Sequence, residues 1–325
     1  MAVKRKIKRS AKSEVVLLFD AFDDYIMEKE ALNKSEATIK SYSETFRKFY
    51  VFLGMDEESP VDEITQKDIY KWIGVMKQDG ISISSINHYL REIRAFLYWC
   101  MDKDRGYIDN FEVNLLSHQE EPPKCFSDDE LKLLMEKPRP RDSFSEWRTW
   151  AIVSWVLGTG NRAATICSIR MRDVNFKRKE INLPHTKNKK AQILPLSSSL
   201  STVLKEYIRI WRKDADDDEY LFCNIAEDRL TTNALRQSFE KYCKDRGVEH
   251  TSIHGLRHSF AKGWVRNNGN MFALQKILGH ATLEMTRRYV KLFGEELKED
   301  FEKFNPLDVM KKNVKRTQTV SRSRY

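Results

Sequence analysis

Apolar residues recur at helical spacing through most of this chain. Val16, Phe19, Phe22 and Ile26 form a first stripe, and Ile39, Tyr42, Phe46, Tyr50 and Leu53 a second. Ile69, Trp72, Ile73 and Met76 make a third, and Ile86, Leu90, Ile93, Phe96 and Leu97 a fourth. Positions three and four apart share one face of an α-helix, so each stripe predicts a helix with a single buried side. Starts are marked by Ser13, Ser35, Thr65 (after Pro60) and Ser84, with polar or glycine-containing breaks at 54–59 and 79–80. The pattern predicts a four-helix domain over 13–101, with these aromatics as its core.

The next stretch, 102–124, is polar, lacks periodicity and contains Pro122-Pro123, which reads as a linker. A fresh helix signal follows: Ser127 and Glu130 fit a capping box, with Phe126 placed as a hydrophobic staple. A helix through Trp147, Trp150, Trp155 and Val156 then runs to the break at Gly158-Thr159-Gly160. Beyond it the period changes. Strand-like runs at 180–184 and 192–196 flank the basic turn Thr186-Lys187-Asn188-Lys189-Lys190. Helical patterns resume at 198–211 and 232–246, and a last helix over 295–304 ends before Asn305-Pro306. The expected fold is mainly α with a small β-sheet: a helical domain and a mixed α/β domain over 125–305, with tails at 1–12 and 306–325.

Composition narrows the class. A length of 325 residues suits two domains, and 41% hydrophobic content supports sizeable cores. No apolar run reaches membrane-spanning length, and no apolar signal segment follows the first charges. Five scattered cysteines without a C-x-x-C pair suit a reducing cytoplasm rather than disulfides or a zinc ribbon. The net charge of +9 is concentrated at the ends, because residues 1–13 carry six Lys/Arg and no acid, and 306–325 carry six against one Asp. Such tails suit electrostatic arms for phosphates, although solvated ends give the same composition.

The chemistry-bearing positions are Arg162, Lys187, His254, Arg257, His280 and Tyr289. His254 and His258 bracket Arg257 at spacings that share one side of a short helix, and His280 follows a Leu-Gly break. Cationic and proton-carrying groups beside a phenol are what phosphodiester chemistry with a tyrosine nucleophile requires. Two guanidiniums neutralise the extra charge of a pentavalent phosphate, a lysine or histidine protonates the departing oxygen, and a histidine helps accept the phenol's proton. Zinc ligation by His254, His258 and His280 is the competing reading, although the H-E-x-x-H pattern is absent. His258 reads as support, and Asp173 as structural.

These positions resemble the motifs of the tyrosine recombinases of the phage-integrase family, in a compact form similar to Xer-type and transposon-borne integrases. The family's Thr-Gly-x-Arg context is matched by Thr159-Gly160-Asn161-Arg162, and its β-hairpin lysine by Lys187 ahead of Leu194-Pro195-Leu196. Its H-x-L-R-H box is matched by His254-Gly255-Leu256-Arg257-His258, its L-G-H by Leu278-Gly279-His280, and its nucleophile nine residues on by Tyr289. One departure stands at Thr165, where the family commonly has Glu or Asp.

The resemblance implies a C-shaped clamp on double-stranded DNA and a 3′-phosphotyrosyl intermediate, with no metal, cofactor or ATP. It implies inverted-repeat core sites, a homotetramer on two DNA sites with 295–304 as an exchanged helix, and accessory DNA-bending or directionality factors. It places the protein in the cytoplasm at the nucleoid. With about a dozen residues before the first helix, recognition without a folded arm-binding domain is expected. Integration and excision of a mobile element is the leading task. Xer-like dimer resolution, topoisomerase-like relaxation and DNA binding without catalysis are the alternatives.

Overall fold

The computed structural model describes residues 15–117, 123–183, 191–280, 282–284, 286–287 and 289. The chain divides into two compact units between Glu120 and Glu121. The first is built on four helices, α1 (Leu18–Ala31), α2 (Glu36–Leu53), α3 (Gln66–Gln78) and α4 (Ile83–Cys100). Ser35 caps α2 by accepting the Thr38 amide, and Asp68 in the first turn of α3 accepts the Thr65 amide. The fourth helix is capped by Ser82 rather than starting near Ser84.

The start of α1 departs from expectation. Ser13 lies outside the described residues, and the helix begins only at Leu18, with Leu17 before it making no side-chain cap. Leu17 instead pairs with Pro60 in an antiparallel bridge, and the Leu18 amide donates to Ser59 O. Neighbouring Val15 and Val16 are β-branched and suit this extended entry. The core beneath is aromatic: Phe22 stacks on Phe46 at 3.7 Å, and Phe96 meets both edge-on.

Residues beyond Met101 add to this core. Ile108 and Val113 are buried in it, and the Asn87 side chain, itself buried in α4, bonds the backbone of Leu116 in both directions. A buried amide needs such partners, so the polar composition of this stretch conceals a tether.

The second unit contains α5 (Asp128–Met135), α6 (Phe144–Thr159), the one-turn α7 (Ala163–Ile166), α8 (Ser198–Trp211), α9 (Thr232–Lys244), α10 (Ile253–Arg266) and α11 (Met271–Leu278). Ser127 and Glu130 form the expected reciprocal cap, and Phe126 sits in the core. An antiparallel sheet of order β1-β2-β3 holds β1 (Val174–Asn175), β2 (Glu180–Leu183) and β3 (Gln192–Pro195) in the register Ile181 opposite Leu194. The two-residue β1 has no periodic signature; it is held by pairing alone. Asp173 before it is buried and accepts the Arg170 amide, a structural role as expected.

Helix α6 is the axis of this unit. It is buried on all sides, through Trp147, Ile152, Val153, Trp155 and Val156, and α5, α8, α9 and α10 pack around it. None of the helices among the described residues is long and apolar enough to cross a membrane. The turn with Lys187, the segment 295–304 and both tails lie outside the described residues.

Candidate active site

The site is built where three chain segments end or begin. At the C-terminus of α6, Gly160 takes a left-handed conformation with φ 65°. A Cβ there would stand 2.6 Å from Phe260 and 2.7 Å from Leu278, so any other residue would be both strained and crowded. The turn is braced from both sides. Thr159 Oγ1 donates to Trp155 O, and the Trp155 indole donates to Asn161 Oδ1 at 2.9 Å. Arg162 follows at the start of α7.

Helix α10 begins at Ser252, whose hydroxyl accepts the Gly255 amide, and carries His254, Arg257 and His258. Gly255 permits close packing, since a Cβ there would lie 2.3 Å from the His250 ring. Helix α11 ends at Gly279, again left-handed at φ 61°, and releases His280.

These ends meet at one carbonyl. Leu278 O accepts Arg162 Nη1 at 3.3 Å and Arg257 Nη2 at 2.9 Å. Arg257 Nη1 donates to Gly160 O at 2.6 Å, so the glycine turn fixes the second arginine as well as the first. Carbonyls at a helix C-terminus carry partial negative charge, which makes α11 a suitable seat for cations. Among the described residues no carboxylate pairs with either guanidinium. Thr165, the departure already read from the sequence, offers a hydroxyl in place of an acid, and its carbonyl accepts Ser168 Oγ.

The electrostatics follow from this crowding. Burial, and then the neighbouring Arg162, lowers the Arg257 pKa to about 10, with Tyr289 acting in the opposite sense. Burial lowers Arg162 too. His254 is pushed down by burial first and then by Arg257 and Arg162. The same causes, burial leading, take His280 down to about 4. The pocket therefore holds neutral histidines beside two uncompensated guanidiniums, an arrangement that an anion relieves.

His280 uses both ring nitrogens, Nε2 at 3.1 Å from Arg257 Nη2 and Nδ1 at 2.9 Å from Thr286 Oγ1. Tyr289 is buried, its ring parallel to that of His280 at 6.3 Å. Its Oη lies 2.8 Å from His258 Nδ1, and His254 stands edge-on to His258 at 4.6 Å. Of the six residues expected from the sequence, Arg162, His254, Arg257, His280 and Tyr289 are gathered here, while Lys187 lies outside the described residues. His258, read as support, contacts the phenol directly. Helical spacing placed it beside His254 and said nothing of Tyr289. Sequence reading also missed Thr286, whose one signal is its position three residues before Tyr289, and Gln192, whose Nε2 donates to Lys276 O at 2.6 Å at the end of α11.

Comparison with known proteins gives two family matches. Residues 124–296 match the phage integrase family, and residues 19–104 match its N-terminal SAM-like domain. The tyrosine recombinase XerA of Pyrococcus furiosus is 28% identical over 301 residues, covering 91% of this chain and 97% of that protein. XerC of Corynebacterium glutamicum is 23% identical over 299 residues, covering 91% and 94%. Among solved structures, the Tn1549 transposon integrase in complex with transposon right end DNA has a TM-score of 0.70 at 19% identity, over 89% of this chain and 99% of that one. A lambda integrase tetramer bound to a Holliday junction has a TM-score of 0.68 at 16% identity, over 85% and 78%.

Proposed function

The chain belongs to the phage integrase family, and from that membership we propose that Tyr289 is the nucleophile of its strand-cleavage reaction. The protein is a tyrosine-type site-specific DNA recombinase, which cleaves DNA and rejoins it. The observation that carries the residue assignment is the buried phenol bonded to His258 beside two guanidiniums that have no carboxylate partner among the described residues.

The reaction follows from these positions. Tyr289 Oη attacks the scissile phosphorus and its proton passes to His258 Nδ1, the nearest described base. Arg162 and Arg257 donate to the non-bridging oxygens, where negative charge accumulates in the transition state. They are already oriented by carbonyls, so little reorganisation is needed when phosphate arrives. His254 and His280, neutral and adjacent, complete the donor set around those oxygens. Lys187, assigned from sequence, protonates the departing 5′ oxygen. The P–O5′ bond breaks as the tyrosyl ester forms, leaving a 3′-phosphotyrosyl link and a 5′-hydroxyl. A 5′-hydroxyl from the partner duplex then attacks that link, its proton passing to Lys187, while the phosphotyrosyl P–O bond breaks and His258 returns its proton to Tyr289. One ester replaces another, so the exchange needs no external energy source.

The partners of this reading are double-stranded DNA with inverted-repeat core sites and three further copies of the chain, four protomers joining two sites. The lambda integrase tetramer on a Holliday junction, similar in fold, supports that stoichiometry. Integration and excision of a mobile element is the task we assign. Near full-length similarity to XerA and XerC favours a second reading, resolution of chromosome or plasmid dimers. Excision of a flanked element, scored against resolution of a tandem dimer, separates the two.

A nicked suicide substrate tests the chemistry. Wild-type protein is expected to accumulate a covalent DNA adduct that Tyr289→Phe abolishes, and to exchange strands between two sites. Absence of any adduct on authentic sites would overturn catalysis. Supercoil relaxation without recombinant product would replace the recombinase by a topoisomerase.

A further inference from the structure

The carbonyls in the last turn of a helix have no partner within it and must be satisfied from outside. In α11, Gln275 O takes the His280 amide and Lys276 O the Gly279 amide, as a left-handed glycine end arranges. Leu278 O takes the two guanidiniums. The remaining side-chain donor is Gln192 at the start of β3, whose Nε2 lies 2.6 Å from Lys276 O and 3.3 Å from Ile277 O. Neither carbonyl can donate, so the amide nitrogen of Gln192, and not its oxygen, points at the helix. A Cβ placed on Gly279 would stand 3.9 Å from Arg162 Nη1 and 4.0 Å from Gln192 Oε1, so the arginine and the glutamine flank one turn.

We infer that Gln192 is a positioning residue, which ties the end of α11 to the sheet and thereby holds the Leu278 carbonyl that seats Arg162. The proposal rests on the recombinase reading and deepens it. The two arginines depend on that carbonyl unequally. Arg257 has a second seat, since its Nη1 donates to Gly160 O at 2.6 Å. Arg162 makes its one hydrogen bond among the described residues to Leu278 O. Helix α11 has eight residues and packs against α10. Its start is fixed, because the Asn270 side chain caps it and the Trp264 indole donates to Asn270 O at 3.0 Å. Its end is where Gln192 arrives, from a residue paired with Leu183 in the β2–β3 ladder.

Gln192 is half-buried, so water can replace it at both carbonyls and the fold should tolerate its loss. The end of α11 would lose its tie to the sheet, and the Arg162 guanidinium would follow the Leu278 carbonyl. A misplacement of about 1 Å in a phosphate-binding group costs up to about a hundredfold in rate. DNA affinity gathers over many backbone phosphates and should change little.

The test uses the full-length protein as wild type, Gln192→Leu, Arg162→Lys and the double variant. Lysine at 162 keeps a charge but lacks the fork that can reach carbonyl and phosphate together. At saturating suicide substrate, Gln192→Leu is expected to form adduct roughly tenfold or more slowly than wild type. In the Arg162→Lys background the same change should cost within about threefold, because residues that act as one unit are not additive. A purely structural role would carry its full loss into both backgrounds. In the DNA-free protein, the 15N resonance of Arg162 Nε, assigned by its loss in Arg162→Lys, is expected to move toward the free-arginine position in Gln192→Leu. The DNA concentration for half-saturation should stay within about twofold. The inference is overturned if Gln192→Leu leaves that resonance unmoved, if it cleaves as fast as wild type, or if its fold-loss is undiminished beside Arg162→Lys. Should Gln192→Leu fail to fold, Gln192→Ala takes its place under the same criteria. A wild-type protein that forms no adduct overturns the recombinase reading instead, and the Arg162 resonance still decides whether Gln192 holds the arginine.

Discussion

His258 and His280 place the same side chain in two different settings. His258 sits 2.8 Å from the Tyr289 phenol and can take its proton, whereas His280 is locked between Arg257 and Thr286. Replacing His258 with Ala should lower adduct formation by about a hundredfold or more, the usual worth of a positioned base. The residual rate should then climb as pH rises toward the phenol's own pKa of ~10, because more of Tyr289 is ionised without help. A pH–rate profile of single-turnover cleavage reads both effects. A His258→Ala enzyme that cleaves normally would remove the histidine from the mechanism.

The depressed histidines also make a statement about stability. The folded protein holds His280 neutral down to about 4, while the unfolded chain takes up its proton near the ordinary value of 6.5. Between those values the unfolded state binds more protons, so stability is present in full above pH 6.5 and is lost as pH falls toward 4. His254, also lowered, adds in the same direction. Denaturant titrations from pH 7 to 4.5 should show this fall, and it should be shallower in His280→Gln. A pH-independent midpoint would contradict the crowded-cation picture.

At the scale of elements, the helix ends matter more than the helix bodies. Two left-handed glycines end helices in different surroundings: at Gly54 a Cβ would meet nothing within 4 Å, while at Gly160 it would strike Phe260 and Leu278. Gly54→Ala should therefore cost only the backbone strain, about 1–2 kcal/mol. Gly160→Ala adds overpacking of about 1–3 kcal/mol and displaces the carbonyl that Arg257 uses. Chemical denaturation orders the two. Cleavage assays should find Gly54→Ala active and Gly160→Ala impaired beyond its loss of stability. Equal effects at both sites would show that the glycine turn does not set the arginine.

Across the whole molecule, each of the two units has its own buried core, and the excess charge lies mostly in the terminal segments of the sequence. The DNA engagement proposed above should release counterions, so affinity measured by fluorescence anisotropy is expected to fall linearly on a log–log plot against salt. Deleting residues 1–12, which carry six Lys/Arg and no acid, should flatten that slope if the tail touches phosphate. An unchanged slope would mark the tail as solvated.

Much of this protein was written locally. Helical period and the caps at Ser35 and Ser127 set most helices, because hydrogen bonds between a side chain and an amide three residues on need no distant partner. Where a distant partner intervenes the local signal fails: α1 starts late because Leu17 is paired with Pro60, and β1 exists only through β2. Motif order, which survives without coordinates, likewise singled out Arg162, His254, Arg257, His280 and Tyr289, which the fold gathers in one pocket, while Lys187 lies outside the described residues. What the tertiary structure alone decided is how they are held. Arg162 meets Leu278 across 116 positions of sequence and Arg257 meets Gly160 across 97, both through the packing of α6, α10 and α11. Such separations lie beyond any local pattern. The shared carbonyl, the His258–Tyr289 bond and the grip of Thr286 on His280 therefore emerge only when the core closes.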